Sequence, residues 1–249
     1  MIATQAFNGL VRLGTEAAWH ELMADRRGFQ REFVRLLSES PQLCGRVLDI
    51  GCGAGLPMPL SELAGRWGTM DGVDPDPAVL EHPCLNQRWN NTFEDVSIPA
   101  ETYDLAWAYN VLEHIPEPYP FLAKVDRVLK PGGVFWGLTP NLTHPFALLS
   151  RSIELIGLKA FARRKIGRTE SGEMVVNDYP AYYRCNSPMA IRRATRSLNF
   201  SNVTFYYHPC LQWDTYFPKW LRWWPRSYDY LLGTRVSRLM QILIVRLEK

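Results

Sequence analysis

Between residues 46 and 140 the chain alternates short apolar runs with amphipathic stretches. Residues 47–50 predict a first strand. Residues 56–67 predict a helix despite Pro57 and Pro59 near its start. A second strand is expected over 70–73, a short helix over 77–81, a third strand over 85–90 and a fourth over 104–109. A helix over 118–129 follows, then a fifth strand over 134–138 announced by Pro131, Gly132 and Gly133. Such alternation predicts a parallel sheet covered by helices on both faces. Upstream, Leu10, Leu13, Ala17, Phe29, Phe33, Leu36 and Leu37 recur at helical spacing, so residues 1–45 are expected to form N-terminal helices ending near Pro41.

After Pro140 the rhythm breaks. Residues 142–187 read as an insertion: a helix-like stretch over 146–161, a basic cluster (Arg163, Arg164, Lys165, Arg168) and a Tyr-rich loop. A helix over 187–198 and a sixth strand over 203–207 come next. A second insertion over 208–238 sets Trp213, Trp220, Trp223 and Trp224 among arginines and prolines. Residues 242–247 are β-rich and complete a seven-stranded sheet.

Composition narrows the setting. At 249 residues and 47% hydrophobic, the chain is long enough for one α/β domain with insertions. No apolar run reaches the roughly 18 residues needed to span a bilayer, and the first residues lack the basic start and apolar core of a signal peptide. Five scattered cysteines without a CxxC or metal-type spacing fit a reducing cytoplasm, and no metal is expected. The net charge of +3 is unevenly spread: residues 1–150 hold 11 Lys+Arg against 18 Asp+Glu (−7), residues 151–249 hold 17 against 7 (+10). The second half therefore either faces something anionic or uses its arginines to solvate an aromatic-rich surface.

The candidate chemistry begins where the first strand runs into Gly51-Cys52-Gly53-Ala54-Gly55. Glycines admit positive φ and close approach of a ligand to the main chain. The dinucleotide fingerprint spaces its glycines GxGxxG; here the spacing is GxGxG, with Asp49 just before it. An acid at that point repels a pyrophosphate and suits a cationic amine, which disfavours a nicotinamide cofactor.

Four blocks in order then resemble the class I S-adenosylmethionine (SAM) dependent methyltransferases. They are Val47 to Gly55; Gly72-Val73-Asp74-Pro75, with its acid about 20 residues after the loop; Thr92-Phe93-Glu94-Asp95 followed by Tyr103-Asp104; and Asn110-Val111-Leu112-Glu113-His114 followed by Leu129-Lys130-Pro131-Gly132-Gly133. The resemblance covers roughly 46–140. It implies a single domain with a Rossmann-like seven-stranded, mostly parallel sheet, helices on both faces, an antiparallel last strand and helical insertions after strands five and six. It implies SAM as cofactor: Asp49 with the backbone of Gly51, Cys52, Gly53 and Gly55 at the methionine amine and sugar, Asp74 on the ribose hydroxyls, Pro75 beside the adenine, Phe93 and Glu94 at the adenine edge, and Asn110 at the methionine portion. Many relatives carry Asp where Thr92 stands, so the adenine contact falls to the Phe93 amide, Glu94 or Asp95.

Transfer to oxygen needs a base. His114 and His144 follow strands four and five, on the side where open α/β sheets bind ligands; each is equally readable as a packed or loop residue. The Thr139-Pro140-Asn141 exit and the Tyr182-Tyr183-Arg184 stretch resemble the ubiquinone-biosynthesis O-methyltransferases and methyltransferases of glycan and lipid pathways. That likeness makes 142–187 a substrate lid, with Tyr182, Tyr183 and Arg184 lining the pocket of a small-molecule, lipid or glycan acceptor. The Trp/Arg segment fits peripheral contact with an anionic membrane, or packing of the insertion. A nucleic-acid methyltransferase would carry an Asn/Asp-Pro-Pro-Tyr or Pro-Cys motif where this chain has Asn110-Val111-Leu112-Glu113, so no nucleic-acid partner is expected. A SAM-binding scaffold without catalysis is the other reading left open.

Overall fold

The fold was analysed on a computed structural model that describes residues 5–7, 10–12, 28–57, 60–145, 147–148, 151–152, 179–209, 219–225, 227–228 and 237–249. Its sheet is built from β1 (Gln5–Phe7), β2 (Leu10–Arg12), β3 (Arg46–Ile50), β4 (Thr69–Asp74), β5 (Arg88–Asn90), β6 (Tyr103–Tyr109), β7 (Leu129–Pro140), β8 (Asn202–His208) and β9 (Ile242–Glu248). The strands lie in the order β1-β2-β8-β9-β7-β6-β3-β4-β5. Strands β3 to β7 are parallel, and β9 runs antiparallel between β7 and β8. The seven strands expected from sequence are all present. The β1–β2 hairpin extends their β8 edge to nine.

Both faces of the sheet are covered because adjacent residues of the central strands are apolar. In β3, Val47 joins one cluster and Leu48 the other; in β9, Ile244 and Val245 divide the same way. One face packs against α1 (Gly28–Ser38) through Phe33 and Leu37. The other packs against α2 (Pro118–Val128) and α3 (Pro188–Thr195) through Phe121, Val125 and Ile191. Pro sits in the first turn of α2 and α3, where its missing N–H costs nothing. Ser187 caps α3, its hydroxyl accepting from the Ala190 amide at 3.3 Å.

Three expectations change. The N-terminal segment is not helical throughout: residues 5–7 and 10–12 are strands, and among the described residues α1 alone realises the expected periodicity, while residues 13–27 lie outside the described residues. The helix expected over 56–67 is reduced, among the described residues, to a 3-10 turn at Leu60–Leu63. Gly65, at φ 79°, takes the left-handed conformation that ends a helix, so the turn stops after Leu63. The expected third strand keeps only Arg88–Asn90. Of the 142–187 insertion, residues 145, 147–148 and 151–152 are helical; the basic cluster at 163–168 lies outside the described residues. Among the described residues no helix is long and apolar enough to cross a membrane, and no His/Cys/Asp/Glu group is arranged to hold a metal.

The topology has a switch point. The chain leaves β3 toward β4 and β5, then returns to β3's other side with β6 and β7. A crevice opens at the carboxyl ends of strands where the order reverses.

Candidate functional site

A cavity of about 840 Å³ occupies that crevice. All the residues expected around a cofactor line it: Asp49 and the Gly51, Cys52, Gly53 and Gly55 loop at the end of β3, Asp74 and Pro75 after β4, Phe93 and Glu94 after β5, and Asn110 after β6. These segments are far apart in sequence and meet because the strand ends are adjacent in the sheet.

The loop's shape depends on two glycines in the left-handed region, Gly51 at φ 77° and Gly53 at φ 55°. The Gly51 amide donates to the Val73 carbonyl at 2.8 Å, which ties the loop to β4. A Cβ on Gly51 would sit 2.3 Å from Val111 Cγ2, whereas one on Gly53 would meet nothing within 4 Å. Across the cavity Asn110 is also left-handed, at φ 56°, a conformation Asn tolerates better than most residues. Its amide donates to the Leu138 carbonyl at 2.9 Å.

Asp49 is buried and paired in register with Trp107 of β6 on one side and Gly72 of β4 on the other. Burial pushes its carboxyl up to about 7; the Trp107 indole opposes the shift and the nearby Asp74 adds to it. Asp74, also buried, accepts from the Gly53 amide at 2.8 Å and the Asp76 amide at 2.7 Å, one on each oxygen. Each oxygen keeps a second lone pair. Asp76, Glu94 and Glu117 also line the cavity, and burial raises the Glu94 carboxyl. Among the described residues no Lys or Arg lines it. Its walls therefore call for a cation. SAM carries an ammonium and a sulfonium, so this donor set fits it.

The adenine-side segment differs in detail from expectation. The Thr92 hydroxyl donates to Asp95 at 2.7 Å, so Asp95 closes a turn and does not line the cavity. Phe93 and Glu94 do line it. Phe93 packs edge-on against Phe121 at 5.4 Å, with the Lys124 ammonium 5.0 Å from its ring.

The two histidines part company. His114 lines the cavity, and its Nδ1 lies 3.0 Å from the Pro180 carbonyl. A carbonyl only accepts, so Nδ1 carries the proton and the neutral ring keeps its lone pair on Nε2. His144 is buried away from the cavity, its ring edge-on to Tyr228 at 5.3 Å, so it does not stand at the site. The substrate candidates divide as well. Tyr182 lines the cavity; Tyr183 and Arg184 do not. Tyr183 donates its amide to the Glu113 carbonyl at 3.0 Å, and Arg184 reaches the Pro116 carbonyl at 3.3 Å. Sequence reasoning gave no role to Tyr179, Pro180, Pro116 and Glu117, which also line the cavity. The Tyr-rich loop was the only signal for the first two.

Residues 48–137 match the family model described as a methyltransferase domain. Over that stretch the chain is similar to methyltransferases. A ubiquinone biosynthesis O-methyltransferase from Cereibacter sphaeroides is 35% identical over 120 residues, which is 44% of this chain and 47% of that protein. One from Pseudomonas syringae pv. tomato is 34% identical over 120 residues, covering 43% and 50%. The matched stretch spans about half the length of these curated relatives. A SAM-dependent methyltransferase of known structure from Archaeoglobus fulgidus superimposes with a TM-score of 0.56 at 17% identity, over 95% of this chain and all of that one. The agreement in sequence concentrates on the methyltransferase core.

Proposed function

We propose that this chain transfers the methyl group of SAM to a hydroxyl of a small-molecule acceptor. The observation that carries this reading is the buried Asp49 beside Asp74, two carboxylates facing one cavity with the loop amides between them. A buried carboxylate needs a cationic partner, and the methionine ammonium would meet Asp49, the backbone of Gly51 and Gly53 framing it. Asp74 would use its remaining lone pairs on the ribose hydroxyls, Pro75 would flank the adenine, and Phe93 with Glu94 would meet its edge. Cys52 and Gly55 would complete the loop wall, and the Asn110 carbonyl would line the methionine portion. When bound, SAM supplies a methyl group activated by its sulfonium.

The chain's own part is to position the acceptor and take its proton. His114, which lines the cavity and in its neutral form keeps its lone pair on Nε2, is the base in this reading. Tyr182, with Tyr179 and Pro180, would form the acceptor's side of the wall. Residues 142–187 would serve as lid in a single domain acting in the cytoplasm. The names of the curated relatives support oxygen as the methylated atom and a small molecule as acceptor.

The decisive experiment is transfer from labelled SAM to a lipid and glycan extract, with mass spectrometry of the product. SAM binding without any labelled product would favour a non-catalytic SAM-binding role. NADH binding without SAM binding would overturn the whole reading. A narrower check is Asp74→Ala, expected to weaken SAM binding by about 1–3 kcal/mol in calorimetry; unchanged affinity would remove the ribose role.

The same reading includes peripheral contact with anionic membrane. Trp220, Trp223 and Trp224 are 74%, 62% and 43% exposed and follow helical i, i+3, i+4 spacing, with Lys219 and Arg222 interleaved. Indole rings favour the bilayer interface and cations favour anionic headgroups. Co-sedimentation with vesicles containing phosphatidylglycerol is expected at low salt and should weaken as salt rises; no binding at low salt would exclude it.

A further inference from the structure

Glu113 is a buried carboxyl for which methyl transfer as outlined above has no use. It ends the β6 exit, next to His114. Its Oε2 accepts from the Thr139 hydroxyl at 2.8 Å, and its Oε1 lies 4.0 Å from His114 Nε2. Its own carbonyl accepts from the amides of Tyr182 and Tyr183 at 2.8 and 3.0 Å. The next residue's ring is held to the Pro180 carbonyl. One dipeptide thus carries the imidazole that lines the cavity, the carboxyl 4.0 Å from that imidazole's Nε2, and the attachment of the 179–184 segment that closes the cavity wall.

Burial raises the pKa of this carboxyl, while its own backbone, the neighbouring His114 and the Thr139 hydroxyl each favour its ionised form. The reaction adds to the second group of effects. As the acceptor oxygen gains the methyl group, its proton passes to His114 Nε2 and the donor sulfur keeps the electron pair of the broken bond. One positive charge leaves the sulfur and one appears on the imidazole. Among the described residues the Glu113 carboxyl, 4.0 Å away, is placed to answer a proton on Nε2. The Thr139 bond occupies its other oxygen and so fixes which one faces the ring.

We propose that Glu113 is the positioning residue of a Glu113–His114 pair: its carboxyl stabilises the imidazolium formed at Nε2, and its carbonyl holds the 179–184 segment that sets the ring's tautomer. The inference rests on the methyl-transfer reading and on His114 as its base.

The test is Glu113→Gln, which keeps the shape and an acceptor for the Thr139 hydroxyl and removes only the ionisable group. Labelled SAM is supplied at saturation with the lipid and glycan extract as acceptor source. The extract is diluted to separate the maximal rate from the half-saturating amount. Glu113→Gln should lower the maximal rate at least about tenfold, part of the 10²–10⁴-fold a positioned base supplies. SAM affinity, half-saturation and melting temperature should stay within about twofold or a degree or two of wild type, and Glu113→Asp should recover part of the rate. A wild-type maximal rate in Glu113→Gln overturns this inference and leaves the methyltransferase reading intact. So does a loss matched by an equal loss of SAM affinity, since that marks a structural role. If wild-type protein binds SAM but transfers nothing, the catalytic reading itself fails and this inference with it.

Discussion

Asp49→Asn raises the dissociation constant for SAM by on the order of 100-fold, about 2.7 kcal/mol, in isothermal calorimetry. The variant keeps the size of the side chain and removes the charge that the methionine ammonium would meet at full burial. The same substitution stabilises the ligand-free protein. The Asp49 carboxyl ordinarily titrates near 3.8 and burial, aided by Asp74, lifts it to about 7. Between those values the folded state holds a proton that the unfolded chain has released. Stability therefore declines as pH rises through this window and levels off above about 7. The contribution is on the order of 4 kcal/mol, so the Asn variant should melt higher than wild type at pH 8 and lose that difference near pH 4. Ligand binding reverses the preference, because the ammonium favours the ionised carboxylate. Wild-type affinity for SAM should then fall by up to about tenfold per pH unit below 7, with proton release on binding, while the Asn variant shows neither. Equal SAM affinity in the two proteins would remove Asp49 from the cofactor site.

Gly51→Ala destabilises the protein by about 3 kcal/mol and lowers its melting temperature by roughly 6–12 °C. Two costs combine. At φ 77° an L-residue pays about 1–2 kcal/mol, and the new methyl would lie 2.3 Å from Val111 Cγ2, an overpacking that typically costs 1–3 kcal/mol. The costs separate in a double-mutant cycle. Adding Val111→Ala removes the atom in the way and should recover about 1–2 kcal/mol, leaving the backbone term. Gly53→Ala, at φ 55° with nothing within 4 Å of its Cβ, should show the backbone term alone. A melting temperature unchanged in Gly51→Ala would mean that the loop can shift to accept a side chain.

The cofactor half of the site was readable because it is local. Asp49 and its glycines form one contiguous turn, and the acids and Asn110 stand at strand ends whose spacing follows from the length of each βα unit. Every residue expected there reaches the cavity. The acceptor half was less readable because it is assembled from separate loops. Tyr182 reaches the cavity, while Tyr183 and Arg184, its immediate neighbours, do not. Neighbouring side chains in an irregular loop point in directions set by the loop's path: the Tyr182 and Tyr183 amides both reach one carbonyl, and the chain then turns at Tyr183, left-handed at φ 53°. His114 and His144 looked alike in sequence, each just past a strand, but one faces the cavity and the other is buried against Tyr228.

The helix expected over 56–67 shows the opposite imbalance: its apolar spacing was sound, and Leu60 and Leu63 are buried as it required, but among the described residues it is a 3-10 turn that the left-handed Gly65 ends. The N-terminal segment followed a helical spacing over residues that pair as a hairpin at the sheet edge, where hydrogen bonding to β8 outweighs intrinsic preference.

By itself the sequence determined the parallel α/β core, the glycine turn and the order of the cofactor-facing acids, since each depends on periodicity, backbone freedom and short spacing along the chain. Only the tertiary structure decided which histidine faces the cavity, which tyrosine forms its wall, and that Glu113 places its carboxyl 4.0 Å from His114 Nε2 while holding the segment at 179–184. Those relations join residues from distant elements, and they depend on side-chain direction and burial, which exist only once the sheet has brought its strand ends together.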